Sequence, residues 1–324
     1  MSAMTPSQRE DAPPSSKLDQ AYRLYRKRIA RCRTENQFNR VHIAVENYMT
    51  PAELRYFNAA LAGDPTDAPS REWIARVHGL MPLGKVRSVE FERRGIVKGA
   101  TRYTAAVGSP REKTLILGFG GAFNRLMLPM PCWLDCLNPA FYDMIVLRDL
   151  SRRLFSMGIH GLGSNFFEAL AALREHVDLA SYRNTIALGT SSGGLAAILA
   201  AILLKMDRGI FIGGIDFPEL ANRLRSYGVN DTPYAALLAS RPDPFPELLL
   251  VYGGRHAVDA AAAKALHQRV PSRLWEVKNC SGHGVVPTKL RCGRLPPFLS
   301  NILGQSVEHP ELVPATVPAS QAFG

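Results

Sequence analysis

Short apolar runs that alternate with helical patterns constrain the fold of this chain more than any other feature. Six such runs follow one another between residues 114 and 279: TLILGF (114–119), MIVLRD (144–149), TIALG (185–189), GIFIGG (209–214), ELLLVYGG (247–254) and RLWEVKN (273–279). Amphipathic patterns such as FFEALAALREHV and VDAAAAKALHQRV lie between them. Continuous apolar strands that alternate with helices are typical of a parallel sheet buried on both faces. The sequence therefore predicts an α/β fold with a mostly parallel central sheet and helices on both faces.

The composition along the chain predicts four segments. Residues 1–16 are polar and proline-rich and are predicted to be a disordered tail. Helical patterns predict an N-terminal helical extension over residues 17–84. The α/β domain is predicted over residues 85–303, and it begins with VRSVEFER and TRYTAAVG, which are typical of an antiparallel strand pair. Residues 304–324 are predicted to be a flexible C-terminal tail.

The first helical pattern of the extension, SKLDQAYRLYRKRIARCR, is amphipathic and strongly basic. Its apolar residues recur every three or four positions and share one helical face; they are Leu18, Tyr22, Tyr25, Ile29 and Cys32. A basic amphipathic helix can lie on a membrane surface or bind a partner. It can also pack its apolar stripe on its own domain and expose the basic face. Both interpretations stay open, and the second is favoured.

Charge and hydropathy limit the class of protein. The net charge of +11 favours attraction to anions, but no zinc finger, RNP motif or basic-aromatic strand supports nucleic-acid binding. No run reaches the roughly 18 apolar residues that a membrane span needs. The N-terminus contains acidic residues and no apolar signal segment, so a cytoplasmic protein is predicted.

The sequence predicts neither a metal nor a cofactor. Five sparse cysteines argue against a disulfide framework. Cys280 and His283 have C-x-x-H spacing, but no second ligand pair is near them, and zinc usually needs about four ligands. The glycine-rich turns lack the G-K-[ST] of a phosphate loop and the G-x-G-x-x-G of a dinucleotide site.

The stretch GTSSGG (189–194) follows one apolar run and precedes a helical pattern. Its G-x-S-x-G pattern in a strand–turn–helix context is typical of a nucleophile elbow, which exposes the hydroxyl of Ser191. The N-terminus of the following helix offers free N–H groups and a partial positive charge that favour a developing anion. The alternative is an ordinary strand-to-helix turn, and the nucleophile is favoured.

Two more strand ends carry groups that suit acyl transfer. Gly120, Gly121 and Ala122 follow the run 114–119 and are predicted to turn backbone N–H groups toward one point, as an oxyanion hole completed by Ser192. The end of MIVLRD places Arg148 beside Asp149 on the same rim, where a structural salt bridge is predicted in preference to a contact with substrate.

A general base and its acid partner are predicted at the last two strand ends. His283, flanked by glycines after the run 273–279, is free to approach Ser191 as general base. Asp259 is the carboxylate that follows ELLLVYGG, and it is favoured to orient the imidazole. Asp216, in GGIDFPE, is the competing candidate.

These motifs, in this order, resemble the α/β-hydrolase superfamily. The resemblance covers residues 85–303 and rests on GFGGAF, GTSSGG, GGRHAVD and SGHG. It implies an α/β-hydrolase fold with Ser191 as nucleophile, His283 as base, and Gly121 with Ser192 as oxyanion donors. Members of the superfamily are mostly esterases, lipases, thioesterases, peptidases and acyltransferases, and some have lost catalysis.

The sequence thus predicts a serine hydrolase that cleaves an ester or thioester of a small acyl substrate, for which an anionic character is open, through an acyl-enzyme intermediate. An acyltransferase that uses the same site is one alternative. Another is an inactive hydrolase-like scaffold that binds a partner or membrane surface through the basic helix. The acid turn motivates this alternative, because His256 occupies the last position of the family pattern G-x-x-D.

Overall fold

The structure is a computed structural model that describes residues 16–63 and 67–304. The predicted disordered N-terminal tail and flexible C-terminal tail lie outside these residues, except that Ser16 caps the first helix and Gly304 caps the last. Within the described ranges the chain forms a helical N-terminal region followed by an α/β domain.

Four helices make up the described N-terminal region: α1 (Lys17–Ile29), α2 (Glu35–Glu46), α3 (Pro51–Ala62) and α4 (Ala68–Gly79). Each begins at a side chain that accepts a hydrogen bond from a first-turn N–H, which satisfies a donor without an intrahelical partner; these caps are Ser16, Thr34, Thr50 and Asp67. Buried apolar side chains hold the helices together, including Tyr25, Leu54, Phe57, Trp73 and Ile74.

The apolar stripe of α1 packs within the N-terminal region. Tyr25 and Ile29 are buried in the core shared with α3 and α4, while Leu18, Tyr22 and Cys32 are half-buried. Most of the basic side chains around the stripe are exposed. The helix therefore presents a basic surface rather than its apolar stripe, and contact of this surface with a membrane or partner stays a prediction.

An eight-stranded sheet forms the centre of the α/β domain. Its strands are β1 (Glu92–Val97), β2 (Ala100–Thr104), β3 (Thr114–Phe119), β4 (Tyr142–Leu147), β5 (Asn184–Thr190), β6 (Arg208–Ile212), β7 (Glu247–Gly253) and β8 (Arg273–Val277). Their order is β1-β2-β4-β3-β5-β6-β7-β8. The pairs β1–β2 and β2–β4 are antiparallel, and the other neighbours are parallel. All six predicted apolar runs are strands.

Helices cover both faces of the sheet. They are α5 (Met130–Cys136), α6 (Phe166–His176), α7 (Gly194–Leu204), α8 (Phe217–Ser226), α9 (Thr232–Ala239), α10 (Ala257–His267), α11 (Val285–Arg291) and α12 (Leu295–Leu303). Helices α6 to α10 share one core and α5, α11 and α12 the other. Alternate residues of a strand enter opposite cores, as Leu115 and Ile116 do. In the described ranges no helix combines the length and apolarity needed to cross a membrane.

Candidate active site

The turn after β5 places Ser191 in a strained backbone conformation. Ser191 has a φ of 54°, a left-handed value that is uncommon for residues other than glycine. A short 3₁₀ turn, Ser191–Gly193, leads directly into α7. The side chain of Ser191 is partly exposed at the carboxyl end of the sheet, whereas Thr190 is buried. This strand–turn–helix geometry is that of a nucleophile elbow.

Close approach of backbone atoms explains why two positions of the elbow are glycine. A Cβ atom at Gly189 would lie 2.0 Å from the carbonyl oxygen of Gly193. A Cβ atom at Gly193 would lie 2.3 Å from the carbonyl oxygen of Phe119, at the end of β3. Both partners are backbone atoms that cannot rotate away, so the turn needs glycine at each position.

We expect Gly189→Ala to destabilise the protein by about 3 kcal/mol or more, because the added methyl group overlaps the backbone of the elbow. Thermal and urea unfolding would measure the loss. The matched control is Gly79→Ala, at an exposed helix end where a Cβ meets no atom within 4 Å. It should stabilise the protein by no more than about 1 kcal/mol. Equal unfolding curves for the two variants would contradict this account of the elbow.

Ser191, His283 and Asp259 lie in one chain of hydrogen bonds. Ser191 Oγ is 2.8 Å from His283 Nε2. The Nδ1 atom of the same imidazole is 2.9 Å from each carboxylate oxygen of Asp259. With its proton on Nδ1, His283 donates to the carboxylate and accepts from the hydroxyl. This arrangement suits removal of the proton from Ser191.

The surroundings of the imidazole and the carboxylate differ. The Asp259 side chain is 2% exposed, whereas that of His283 is 44% exposed and open to solvent. The hydrogen bond to Asp259 raises the pKa of His283 above its usual value, partly opposed by burial. An imidazolium formed during a reaction would therefore be stabilised at this position.

Asp259 and Asp216, the two candidate acids, have different positions. Of these two carboxylates, Asp259 is the one that contacts His283. Asp216 caps α8, where its Oδ1 accepts a hydrogen bond of 3.0 Å from the N–H of Glu219. The assignment of Asp259 as the catalytic acid stays a prediction, but the geometry favours it over Asp216.

His256, at the irregular position of the acid turn, caps the helix that carries Asp259. Its Nδ1 is 3.3 Å from the backbone N of Asp259 and accepts a hydrogen bond from it. The same nitrogen is 3.3 Å from Asp259 Oδ2. Sequence reasoning missed this role, because histidine is not among the residues that usually cap a helix N-terminus. Asp259, the predicted acid, thus lies three residues after the last position of the pattern G-x-x-D.

The N–H groups of the predicted oxyanion hole have different partners. Gly120 N–H donates to Leu147 O (3.1 Å) and Gly121 N–H donates to Arg125 O (2.9 Å), so neither is free for an oxyanion. Over residues 16–63 and 67–304, no acceptor is found for the N–H of Ala122 or of Ser192. The prediction of Gly120 and Gly121 as donors is therefore corrected.

Gly121 instead makes room beside the nucleophile, because a Cβ on it would lie 3.1 Å from Ser191 Cβ. Ala122 follows it directly in the turn, and Ser192 follows Ser191. The candidate oxyanion donors that remain are therefore the backbone N–H groups of Ala122 and Ser192.

The predicted salt bridge between Arg148 and Asp149 is wrong. The fully buried Arg148 donates to the carbonyl oxygen of Asn47 (2.6 Å), and its guanidinium stacks 3.9 Å from the ring centre of Tyr48. Asp149 accepts a hydrogen bond from Phe155 N–H (3.0 Å). Arg148 therefore anchors the N-terminal region to the sheet, whereas Asp149 orders the loop after β4.

One group of side chains could hold a metal ion by distance alone. Ligand atoms of His256, Asp259 and His283 lie within 4.8 Å of one another. The hydrogen bonds among these groups already use Nδ1 of both histidines and the carboxylate. Cys280 contacts Gly282 O and Thr288 Oγ1, so the C-x-x-H spacing forms no ligand pair with His283 here. That the protein needs no metal or cofactor stays a prediction.

A narrow cavity lies beside Ser192. Its volume is about 10 Å³, roughly the space of one water-sized group. Apolar side chains form most of its wall, among them Leu154, Phe166, Leu195, Ile215, Leu220 and Tyr234. Ser192, the residue after Ser191, also lines this apolar recess.

No protein-family model and no curated protein matches the chain. Solved structures are similar at low identity. MGS-MChE2, an α/β-hydrolase enzyme from a metagenome of lagoon sediments of Mar Chica, Morocco, is 18% identical with a TM-score of 0.43, over 66% of this chain and 96% of that one. Dienelactone hydrolase from Anabaena variabilis is 15% identical with a TM-score of 0.44, over 66% and 97%. The Staphylococcus aureus fluorophosphonate-binding serine hydrolase FphF is 13% identical with a TM-score of 0.44, over 64% and 98%.

The topology of the chain itself defines the fold. At one edge of the sheet β2 runs antiparallel to both β1 and β4, the other neighbouring strands are parallel, and helices cover both faces. The elbow follows β5, Asp259 follows β7 and His283 follows β8, which is the order serine, acid, histidine along the chain. The predicted fold class is confirmed: this chain has the α/β-hydrolase fold.

Proposed function

We propose that the protein is a serine hydrolase that cleaves an ester or thioester through an acyl-enzyme intermediate. The observation that carries the proposal is the chain of hydrogen bonds from Ser191 Oγ through His283 to Asp259, with distances of 2.8 and 2.9 Å. Ser191 has a strained backbone conformation, and the N–H groups of Ala122 and Ser192 in the adjacent turns have no acceptor among the described residues, which suits stabilisation of an oxyanion.

The residues act in two half-reactions. Ser191 Oγ attacks the substrate carbonyl while its proton passes to His283 Nε2, and the N–H groups of Ala122 and Ser192 stabilise the oxyanion. The imidazolium then gives this proton to the leaving alcohol or thiol, and the acyl group stays on Ser191. A water molecule attacks the acyl carbon while its proton passes to His283. The bond from the acyl carbon to Ser191 Oγ then breaks, the imidazolium returns the proton to Ser191 Oγ, and the acid is released.

A fluorophosphonate probe tests the nucleophile directly. We expect the folded protein to form one adduct, on Ser191, that peptide mapping by mass spectrometry locates. Labelling should disappear in unfolded protein, because the hydrogen bonds that activate the hydroxyl need the fold. Failure of the folded protein to react at Ser191 would count against a serine hydrolase.

The small recess beside Ser192 leads us to expect a preference for short acyl chains. For p-nitrophenyl esters, kcat/KM should fall about tenfold or more between acetate and octanoate, because a recess of about 10 Å³ has no room for the longer chain. Tyr234→Ala should enlarge the recess and reduce this ratio, whereas Tyr227→Ala, outside the recess, should not. A flat profile across chain lengths in the wild type would contradict this placement of the acyl group.

An acyltransferase would use the same residues with an alcohol or amine in place of water, and product analysis with added acceptors distinguishes the two. The inactive scaffold was motivated by the irregular acid turn. Since Asp259 lies 2.9 Å from His283 Nδ1, that turn no longer favours it. Binding of an anionic partner or membrane by the exposed basic face of α1 remains compatible with either enzyme.

A further inference from the structure

The loop that follows β3 contacts the end of α2 at two points. Arg125 Nη1 lies 2.7 Å from Glu46 Oε1, and Asn47 Nδ2 donates to the carbonyl oxygen of Phe123 over 3.0 Å. Both partners are consecutive in the chain, at the last residue of α2 and its C-cap. The N-terminal region thus contacts this loop, which contains Gly121 and Ala122, at the residues before and after Asn124.

Glu46 is held firmly at its other carboxylate oxygen. Its side chain is 6% exposed, and Oε2 accepts a hydrogen bond of 3.4 Å from Trp73 Nε1. The indole stacks on His42, with ring centres 4.2 Å apart and planes within 2°. Burial raises the pKa of Glu46 while Arg125 opposes that change. A buried carboxylate of this kind is costly without its cation, so the pair fixes the position of Arg125.

A hydrogen bond from the sheet holds the backbone of Asn47. Its backbone carbonyl accepts the 2.6 Å hydrogen bond from Arg148, which is fully buried at the end of β4. The asparagine is itself 5% exposed. Its side-chain amide therefore reaches Phe123 from a rigid position.

The loop transmits these contacts to the oxyanion turn. Arg125 O accepts the N–H of Gly121 over 2.9 Å, and Asn124 N–H donates to Gly121 O over 2.8 Å. Gly121 packs against Ser191. The position of Arg125 thus sets where Gly121 lies, and Ala122 is the next residue, with its N–H unpaired among the described residues.

We propose that Glu46 and Asn47 are positioning residues that hold the Gly121–Arg125 turn so that Ala122 N–H serves the oxyanion. This inference rests on the proposed hydrolase function. The N-terminal helices would then hold one of the two oxyanion donors in place. An oxyanion hole is effective only when its donors are preorganised. Neither residue touches the reacting atoms.

Three variants and one control test the inference in the full chain. Asn47→Ala removes the bond to Phe123 but keeps the carbonyl that Arg148 uses. Glu46→Ala removes the partner of Arg125, and Glu46→Gln retains an acceptor oxygen for it. The control is Arg93→Gln, which breaks the comparable 2.8 Å pair between β1 and Glu53 of α3 without contact to the turn.

We expect Asn47→Ala and Glu46→Ala to lower kcat for p-nitrophenyl acetate by about tenfold to a hundredfold with little change in KM, because the donor is displaced rather than removed. Glu46→Gln should recover part of the loss. Arg93→Gln should keep the wild-type kcat even if its melting temperature falls. Loss of kcat in Arg93→Gln equal to that in the other two would show a general effect of loosened helices and overturn the inference.

Hydrogen–deuterium exchange of the peptide 120–126 gives a readout that does not need activity. Exchange should rise in Asn47→Ala and Glu46→Ala and stay at the wild-type level in Arg93→Gln. Unchanged exchange in folded variants would overturn the bracing of the turn, and increased exchange with unchanged kcat would overturn its catalytic purpose. If Ser191→Ala proved as active as the wild type, the hydrolase function would fail, while the exchange data would still decide whether α2 holds the turn.

Discussion

Ser191→Ala is expected to lower kcat for p-nitrophenyl acetate by about a million-fold, the loss seen when the nucleophile of a serine triad is removed. The expectation follows from the 2.8 Å contact between Ser191 Oγ and His283 Nε2. Without the hydroxyl, His283 has no alcohol to deprotonate, and the acyl-enzyme cannot form. Steady-state turnover at saturating ester, with fluorophosphonate labelling of the same preparations, would measure the effect.

The matched control for this substitution is Ser281→Ala. Ser281 is exposed on the loop that carries His283, two residues from it, so it samples the same loop without contact to the hydrogen-bonded chain. It should keep the wild-type rate and the adduct. Equal turnover by wild type and Ser191→Ala would assign the measured hydrolysis to solvent or to surface groups, and would favour the inactive scaffold.

Short-range sequence patterns predicted most of the fold and the three residues that are joined by hydrogen bonds at the site. The runs that form β3, β4 and β5 are strands because they are continuously apolar and are buried on both faces of the sheet. Ser191, Asp259 and His283 converge because each follows a parallel strand, and carboxyl ends of parallel strands share one edge of the sheet. The convergence of these three residues could be predicted from the order of strands and helices, which is visible in the sequence.

The errors concern contacts between distant parts of the chain. GFGGAF showed that backbone N–H groups turn near the site, but not that Gly121 N–H is taken by Arg125 O. Likewise, Arg148 turned from its neighbour Asp149 to Asn47, 101 positions earlier in the chain. A pattern read locally cannot show such partners, because each depends on how the helical region docks on the sheet.

The N-terminal region illustrates this limit best. The basic face of α1 leaves binding of a membrane or partner open, whereas the contacts that hold Phe123 and Arg125 come from the end of α2, at Asn47 and Glu46. Nothing in the sequence around these two residues distinguishes them from other polar residues at a helix end. Their significance lies in docking against the loop after β3.

Asp259→Asn is expected to lower kcat by about ten-thousand-fold, as in other serine triads that lose their acid. The carboxylate accepts the Nδ1 proton of His283 at 2.9 Å. An asparagine can instead donate its amide hydrogen to Nδ1, which moves the ring proton to Nε2, facing Ser191. In that tautomer the imidazole cannot accept the proton of the hydroxyl.

The pH profile of kcat/KM tests the direction in which Asp259 shifts the pKa of His283. The hydrogen bond that His283 donates to Asp259 is the main cause that raises the pKa of His283. Since the base must be neutral, activity of the wild type should fall as the pH drops through this raised pKa. Asp259→Asn removes the cause, so the pKa falls and the acid limb of the residual activity should move to lower pH.

Asp216→Asn is the control that separates the two candidate acids. Asparagine caps helices about as well as aspartate, so α8 keeps its 3.0 Å cap at Glu219 N–H and the fold is undisturbed. Rate and acid limb should match the wild type. A large loss of kcat in Asp216→Asn, with Asp259→Asn near wild type, would exchange the roles of the two carboxylates. Such a result would require the imidazole to leave Asp259 during the reaction, against the hydrogen bonds that both carboxylate oxygens make with Nδ1.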